Sequence, residues 1–354
     1  MKSSIFSIKA GRRILAVAIL AAALLAGCAG QAATPSATTA PSAATSVTAF
    51  PSATPVPPTA TPQPTPTVET TLEPTATALV FSTDLYGQSV KDLPYCSTPG
   101  GDDLLMDVYY PEQGEPPFPV VVFVHGGSWT EGDKWNVVEV LEPTELVTGG
   151  NMMISIQYRL APRDLFPSMI EDVKCAVRSI RANHSALAAD PEGIALMGVS
   201  AGGHLVALAG VGGPEAGWDA GDYPEESSRP NAVIDFYGPI DLAQVTLGGG
   251  SVIRRAFGVE DLNDPVLETY TPLTYITPDD APFLIVHGID DPTVPISHSE
   301  VLAAELEAAG VPVTLLKVSR LGHRMPFNDS SNPTYAEYME VMRAFLDETI
   351  GKGR

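Results

Sequence analysis

Four continuous apolar runs punctuate residues 80–352: FPVVVFV (118–124), MMISIQY (152–158), GIALMGV (193–199) and PFLIVHG (282–288). Runs of this kind read as strands buried on both faces, not as one side of a half-exposed sheet. AVIDFYG (232–238) and VTLLKVS (313–319) read as two more. Helical periodicity fills the intervals, over 168–183, 201–210, 297–309 and 334–348. In the third of these, Val301, Leu302, Leu306 and Ala309 are expected on one buried stripe, with Gly310 as the stop. Ahead of the first run, KDLPYCSTPGG and DLLMDVYYP predict an antiparallel hairpin at one edge. Alternation of strand and helix predicts an α/β class domain with a mostly parallel sheet and helices on both faces. Segments 212–231 and 243–278 interrupt the pattern. They are read as loops rimming the site, either as a small lid or as surface elaboration.

The first 79 residues belong to a different regime. Lys2, Lys9, Arg12 and Arg13 precede an apolar run from Ile14 to Gly27, with no acid among them. A run of about 14 residues is too short to span a bilayer as a helix, but suits the core of a signal peptide. It ends in Leu25-Ala26-Gly27-Cys28, which looks like a bacterial lipobox with Cys28 as the lipidated first mature residue. From Ala29 to about Ala78 the chain is almost wholly Ala, Thr, Pro, Ser and Val. Such a segment has too little apolar area to offset its ordering entropy and reads as an extended stalk. The expected organisation is a signal peptide over 1–27, a lipidated stalk over 28–79 and a catalytic domain over 80–354. The expected location is outside the cytoplasm, held at a membrane by the lipid.

The formal charge is −22, from 42 acidic and 20 basic residues. Loss of residues 1–27 removes four positive charges and takes it to −26. Nucleic acid is excluded as a partner, because phosphate binding requires an excess of Lys and Arg. Three cysteines are too few for a disulfide-built scaffold or a Cys-rich zinc module. With Cys28 lipidated, Cys96 and Cys175 remain, and two thiols outside the cytoplasm can pair.

Gly198-Val199-Ser200-Ala201-Gly202 fits G-x-S-x-G between an apolar strand and a small-residue helix. That context makes a sharp turn that exposes a serine hydroxyl beside a helix N-terminus, so Ser200 is the expected nucleophile. The run FPVVVFV leads directly into His125-Gly126-Gly127-Ser128-Trp129. An oxyanion needs two or more aligned donors, and the backbone N–H groups of Gly127, Ser128 and Ala201 are the candidates. His125 is expected to hold this loop and Trp129 to pack.

A serine hydroxyl needs a neighbouring imidazole to take its proton. His184 and His298 read as solvated, His204 as locally packed, and His287 as the end of a strand. His323 follows the last strand in Leu321-Gly322-His323, where the order Ser…Asp…His places the base. The orienting acid is sought in HGIDDPTVP (287–295), where Asp291 is favoured over Asp290, the loser being assigned a cap. Asp241 is a third candidate, alternatively a helix N-cap.

Taken together, HGGSW, YRLAP (158–162), Phe166-Pro167, GVSAGGHL and HGIDDPTVP resemble the α/β-hydrolase esterases of the hormone-sensitive-lipase-like group. Within it, the acetylxylan/feruloyl esterase-like carbohydrate esterases are the most similar subset, over residues 90–348. The resemblance implies an α/β-hydrolase fold, a triad of Ser200, Asp291 and His323, oxyanion donors at Gly127, Ser128 and Ala201, no metal and no cofactor. It implies a carboxylic ester substrate of small-molecule or polysaccharide type, with short acyl chains and acetyl groups on carbohydrate as one class. Where the family often carries Gly or Ala this chain has Ser128, and after His323 it continues Arg324-Met325. The alternatives are an amidase or peptidase resembling aryl formamidases, and a non-catalytic surface binding protein on the same fold.

Overall fold

The computed structural model describes residues 79–137, 143–147, 149–245, 247–324 and 330–351. The expected signal peptide, Cys28 and the stalk as far as residue 78 lie outside the described residues. The strands are β1 (Ser89–Ser97), β2 (Asp103–Tyr109), β3 (Phe118–Val124), β4 (Met152–Ile156), β5 (Ala189–Val199), β6 (Ala232–Phe236), β7 (Phe283–Gly288) and β8 (Val313–Val318). They form one sheet in the order β1-β2-β4-β3-β5-β6-β7-β8. β2 pairs antiparallel with β1 and with β4, and every pairing from β4 to β8 is parallel. This is the α/β-hydrolase architecture that the motifs imply.

The principal helices are α1 (Ser168–Ala182), α2 (Ala201–Val211), α3 (Ser251–Phe257), α4 (Ser297–Ala309) and α5 (Tyr335–Thr349). Every residue of β3 is buried. Val120, Val122 and Val124 face a core built with α1, α2 and α4, whereas Val121 and Phe123 face a second core built with α5. A central strand therefore has no solvent face, which explains its unbroken apolar run. α5 starts at a capping box, in which Thr334 Oγ1 and the Glu337 carboxylate reciprocally serve backbone N–H groups.

The predicted stripe on α4 is wrong at one position. Val301 is 45% exposed, while Leu302 and Leu306 are buried together with His298 and Ser299. Apolar periodicity overlooks two polar residues that bury without penalty because each has a hydrogen-bond partner. Gly310 ends the helix in the left-handed region, as expected.

Segment 212–231 does not rim the expected site. It lies along α1 and the edge of the sheet: Arg178 donates to the carbonyls of Ala220 and Asp222, Arg181 to those of Ser227 and Arg229, and Ser97 N–H to the Asp222 carboxylate. Cys96 of β1 and Cys175 of α1 are joined by a disulfide beneath it, with Cα atoms 6.5 Å apart. Segment 243–278 includes α3 and short 3-10 turns, not loop alone. Its Phe257 and Tyr270 rings pack on Phe166, and Tyr270 O accepts from His204 Nε2 at 2.8 Å. It is a packed wall rather than a loose flap.

The disulfide closes a loop with a sequence separation of 79 residues. On chain-entropy grounds such a loop contributes about 4 kcal/mol. Cys96→Ser with Cys175→Ser is expected to lower the denaturant midpoint relative to the oxidised parent protein, and reducing the parent is expected to lower its midpoint likewise. An unchanged midpoint would mean that this pair contributes no constraint.

Candidate active site

The nucleophile turn is built by close backbone approach. Ser200 joins β5 to α2 with φ 54° and ψ −117°, a conformation that L-residues avoid, and its N–H donates to Phe236 O. A Cβ on Gly202 would lie 2.1 Å from Val124 O and 2.5 Å from His125 O. Only glycine lets the first turn of α2 lie against the end of β3. That contact brings the His125–Trp129 loop beside the serine.

Gly127, Ser128 and Trp129 all have positive φ, at 114°, 54° and 58°. The turn is secured from behind. His125 Nδ1 donates to Gly126 O at 2.6 Å, its ring stacks on Tyr158 at 4.2 Å, and Tyr158 Oη donates to His125 O. Burial pushes the His125 imidazole down to about 4, so it is neutral and structural. Trp129 is buried against His204 and Phe257. Ala201 is the first residue of α2, where a helix N–H has no intrahelical acceptor. Gly127 and Ser128 follow Gly126, where an added Cβ would lie 3.4 Å from Ser200 Cβ, and Ala201 follows Ser200 directly.

The remaining side chains come from the ends of β7 and β8. His323 Nε2 lies 2.9 Å from Ser200 Oγ, and His323 Nδ1 lies 2.7 Å from Asp291 Oδ2. A carboxylate only accepts, so Nδ1 carries the proton and the bare Nε2 accepts from the serine hydroxyl. The two loops are fastened together. A Cβ on Gly288 would meet Leu321 O at 2.2 Å, and Asp290 N–H donates to Leu321 O. Asp290 itself is exposed and does not cap a helix; its carboxylate accepts from Arg320 N–H, a second tie between the loops. Asp241 caps the short turn that follows it by accepting from Ala243 N–H.

The Asp291 side chain is fully buried. Oδ1 accepts from the N–H groups of Thr293 and Val294, and Oδ2 also lies 3.3 Å from His287 Nε2. Burial alone would raise this carboxyl, but hydrogen bonds from His287, His323 and Val294 hold it well below the usual carboxylate range. Tyr237 closes the back of the site, with its ring 4.6 Å from that of His323. His298, expected in solvent, is buried instead: Nδ1 accepts from Ile240 and Asp241 N–H, which fixes the loop after β6. His204 is buried as expected, and burial lowers its imidazole to about 4. Sequence reasoning passed over His287 as a strand end; its signal was a polar residue inside an otherwise apolar run four positions before the acid.

A hollow of about 520 Å³ reaches Val199, the residue before Ser200, and is lined by Gly126, Gly127, Glu131, Asp133 and Trp135 among others. Trp135 is 55% exposed.

A serine, an imidazole and a buried carboxylate at the carboxyl ends of parallel strands define an α/β-hydrolase site. The chain belongs to the BD-FAE family, whose model matches residues 106–306, including Ser200 and Asp291 and ending before His323. It is similar to Esterase LipQ of Mycobacterium tuberculosis, 30% identical over 234 residues that make up 64% of this chain and 54% of that protein. It is also similar to Esterase LipC of the same organism, 31% identical over 245 residues, 65% of this chain and 60% of that one. It therefore spans little more than half the length of these relatives. A solved structure described as a truncated form of carbohydrate esterase from gut microbiota superposes with a TM-score of 0.62 at 25% identity, over 77% of this chain and 99% of that one.

Gly202→Ala is expected to cost about 2–3 kcal/mol, because the added carbon meets backbone and not a movable side chain. Thermal melting of the variant reads this directly, and an unchanged melting temperature would contradict the close approach.

Proposed function

We propose that this protein is a serine esterase that hydrolyses short-chain carboxylic esters, with acetyl esters on carbohydrate as a substrate class. The observation that carries the reading is the continuous hydrogen-bonded line from Asp291 through His323 to Ser200. Ser200 Oγ attacks the ester carbonyl while His323 Nε2 takes its proton, and Asp291 stabilises the imidazolium and holds its tautomer. The N–H groups of Gly127, Ser128 and Ala201 receive the oxyanion. Collapse expels the alcohol, which leaves with the proton returned by His323. Water then repeats the sequence on the acyl-enzyme and releases the acid.

Two observations favour carbohydrate. One similar solved structure is described as a carbohydrate esterase. The exposed Trp135 ring borders the hollow that reaches Gly127 and Val199, with Glu131 and Asp133 in its lining to accept hydroxyl hydrogens. An aromatic face bordered by hydrogen-bond acceptors suits a sugar ring.

We also infer that the protein is a lipoprotein held outside the cytoplasm through Cys28, with residues 28–79 as its spacer. The charge, length and ending of the first 28 residues support this, and so does the Cys96–Cys175 disulfide, a bond that persists in oxidising compartments.

The test of the activity is a series of p-nitrophenyl esters of increasing acyl length, set beside an anilide analogue and an acetylated polysaccharide. The highest kcat/KM is expected on the shortest esters, with little turnover of the anilide. Ser200→Ala is expected to lower turnover by about 10⁴–10⁶ with the fold intact. Parent-like activity in that variant, or faster cleavage of the anilide than of the ester, would overturn the proposal. Trp135→Ala should raise KM for the acetylated polysaccharide by roughly tenfold, with kcat on p-nitrophenyl acetate little changed. An equal loss on both substrates would place the ring outside carbohydrate recognition.

A further inference from the structure

Of the four buried imidazoles that take no part in the hydrolysis, His125, His204, His287 and His298, only His287 lies within 4 Å of the Asp291 carboxylate. His287 is the penultimate residue of β7 and has no exposed surface. Its Nε2 lies 2.9 Å from Val294 O and 3.3 Å from Asp291 Oδ2, both of which can only accept, so Nε2 carries a proton. Its Nδ1 lies 2.7 Å from Ser299 Oγ in the first turn of α4. Both ring nitrogens are thus engaged, Nε2 by the acid loop and Nδ1 by the Ser299 hydroxyl.

Asp291 Oδ2 thus stands between two imidazoles, His323 at 2.7 Å and His287 at 3.3 Å. Val294 is shared: its N–H donates to Asp291 Oδ1 while its C=O accepts from His287. The ring is locked at one end by α4 and at the other by the acid loop.

We propose that His287 is a positioning residue for the hydrolysis described above, anchored by Ser299, which fixes the Asp291 carboxylate and moderates how strongly Oδ2 draws the Nδ1 proton of His323. The inference rests on the esterase reading of this site. The neighbourhood contains few other groups able to do this. From β6 and the loop behind it come Asp235, buried and raised to about 6, and Tyr237, whose ring faces both His287 and His323. From α4 come Ser299 and His298, whose Nδ1 is committed to the Ile240 and Asp241 amides. Asp235 accepts from Gly238 N–H through Oδ1, and its buried Oδ2 has no hydrogen-bond partner among the described residues.

The sign follows from the carboxylate's charge. Removing the His287 N–H takes away a partial positive charge 3.3 Å from Asp291 Oδ2, so more of the carboxylate's charge falls on the His323 imidazolium. That cation is stabilised, its proton is lost only at higher pH, and the base form of His323 appears later. The acid limb of kcat/KM, which reports the free enzyme, therefore moves up.

The experiment compares pH profiles of kcat/KM for p-nitrophenyl acetate in the parent protein, His287→Leu, His287→Gln and Ser299→Ala, with folding checked by near-UV circular dichroism. His287→Leu is expected to lose about 10- to 100-fold in kcat/KM, the usual cost of removing a partner that orients a reacting group. Its acid limb should move up by about half a pH unit or more. His287→Gln keeps an N–H near the Nε2 position and should restore most of both. Ser299→Ala keeps the ring but frees its far end, and should move the limb in the same direction by less. If His287→Leu does not fold, the Ser299→Ala profile decides. An acid limb that stays with the parent in every folded variant lacking either partner would overturn the proposal. A parent protein inactive on all esters would instead overturn the esterase reading itself.

Discussion

The site depends on a carboxylate kept ionised where water cannot reach it. An isolated buried charge is costly, and Asp291 is tolerated because two backbone N–H groups and the His323 imidazole donate to its oxygens while the His287 N–H lies 3.3 Å from Oδ2. The same contacts fix its direction. Because Oδ2 can only accept, the proton on His323 is confined to Nδ1, and Nε2 is left to face Ser200. The ordering of the base is thus an electrostatic consequence of how the acid is buried.

That arrangement needs loops that do not move independently, and the sheet supplies this. β5, β6, β7 and β8 are parallel neighbours, so the turns after them emerge at one edge. Gly202 brings the nucleophile turn against the end of β3, and Gly288 brings the acid loop against the residues ahead of His323. Asp290 and the Asp290 amide then tie the acid loop to Leu321 and Arg320. Three side chains far apart in sequence are held at hydrogen-bond distance by backbone contacts that tolerate no side chain. At the far edge the Cys96–Cys175 bond joins β1 to α1, which fastens an antiparallel ribbon that has only one neighbouring strand.

Much of this was legible in the sequence, for identifiable reasons. The central strands announce themselves because burial on both faces removes every polar position from β3 and most from β7. The turn at Ser200 is legible because backbone contacts at 2.2 Å and 2.1 Å from an added Cβ restrict positions 198 and 202 to glycine. Buried polar residues were the blind spot. His298, Ser299 and His287 looked like surface or punctuation, since a pattern of apolar residues does not record partners donated by distant segments. The course of 212–231, on the surface-elaboration side of the two readings, is not legible for a related reason. Its acidic, turn-rich composition signals a loop, but the Arg178 and Arg181 carbonyl contacts that lay it along α1 are long-range.

The activation of Ser200 by His323 and Asp291 is read by stoichiometric reaction of the protein with an organophosphonate ester at neutral pH, followed by peptide mass mapping. A single phosphonyl adduct on Ser200 is expected, with loss of esterase activity in proportion to labelling and no adduct in a His323→Ala variant. An adduct on another residue, or undiminished activity with Ser200 fully modified, would contradict it.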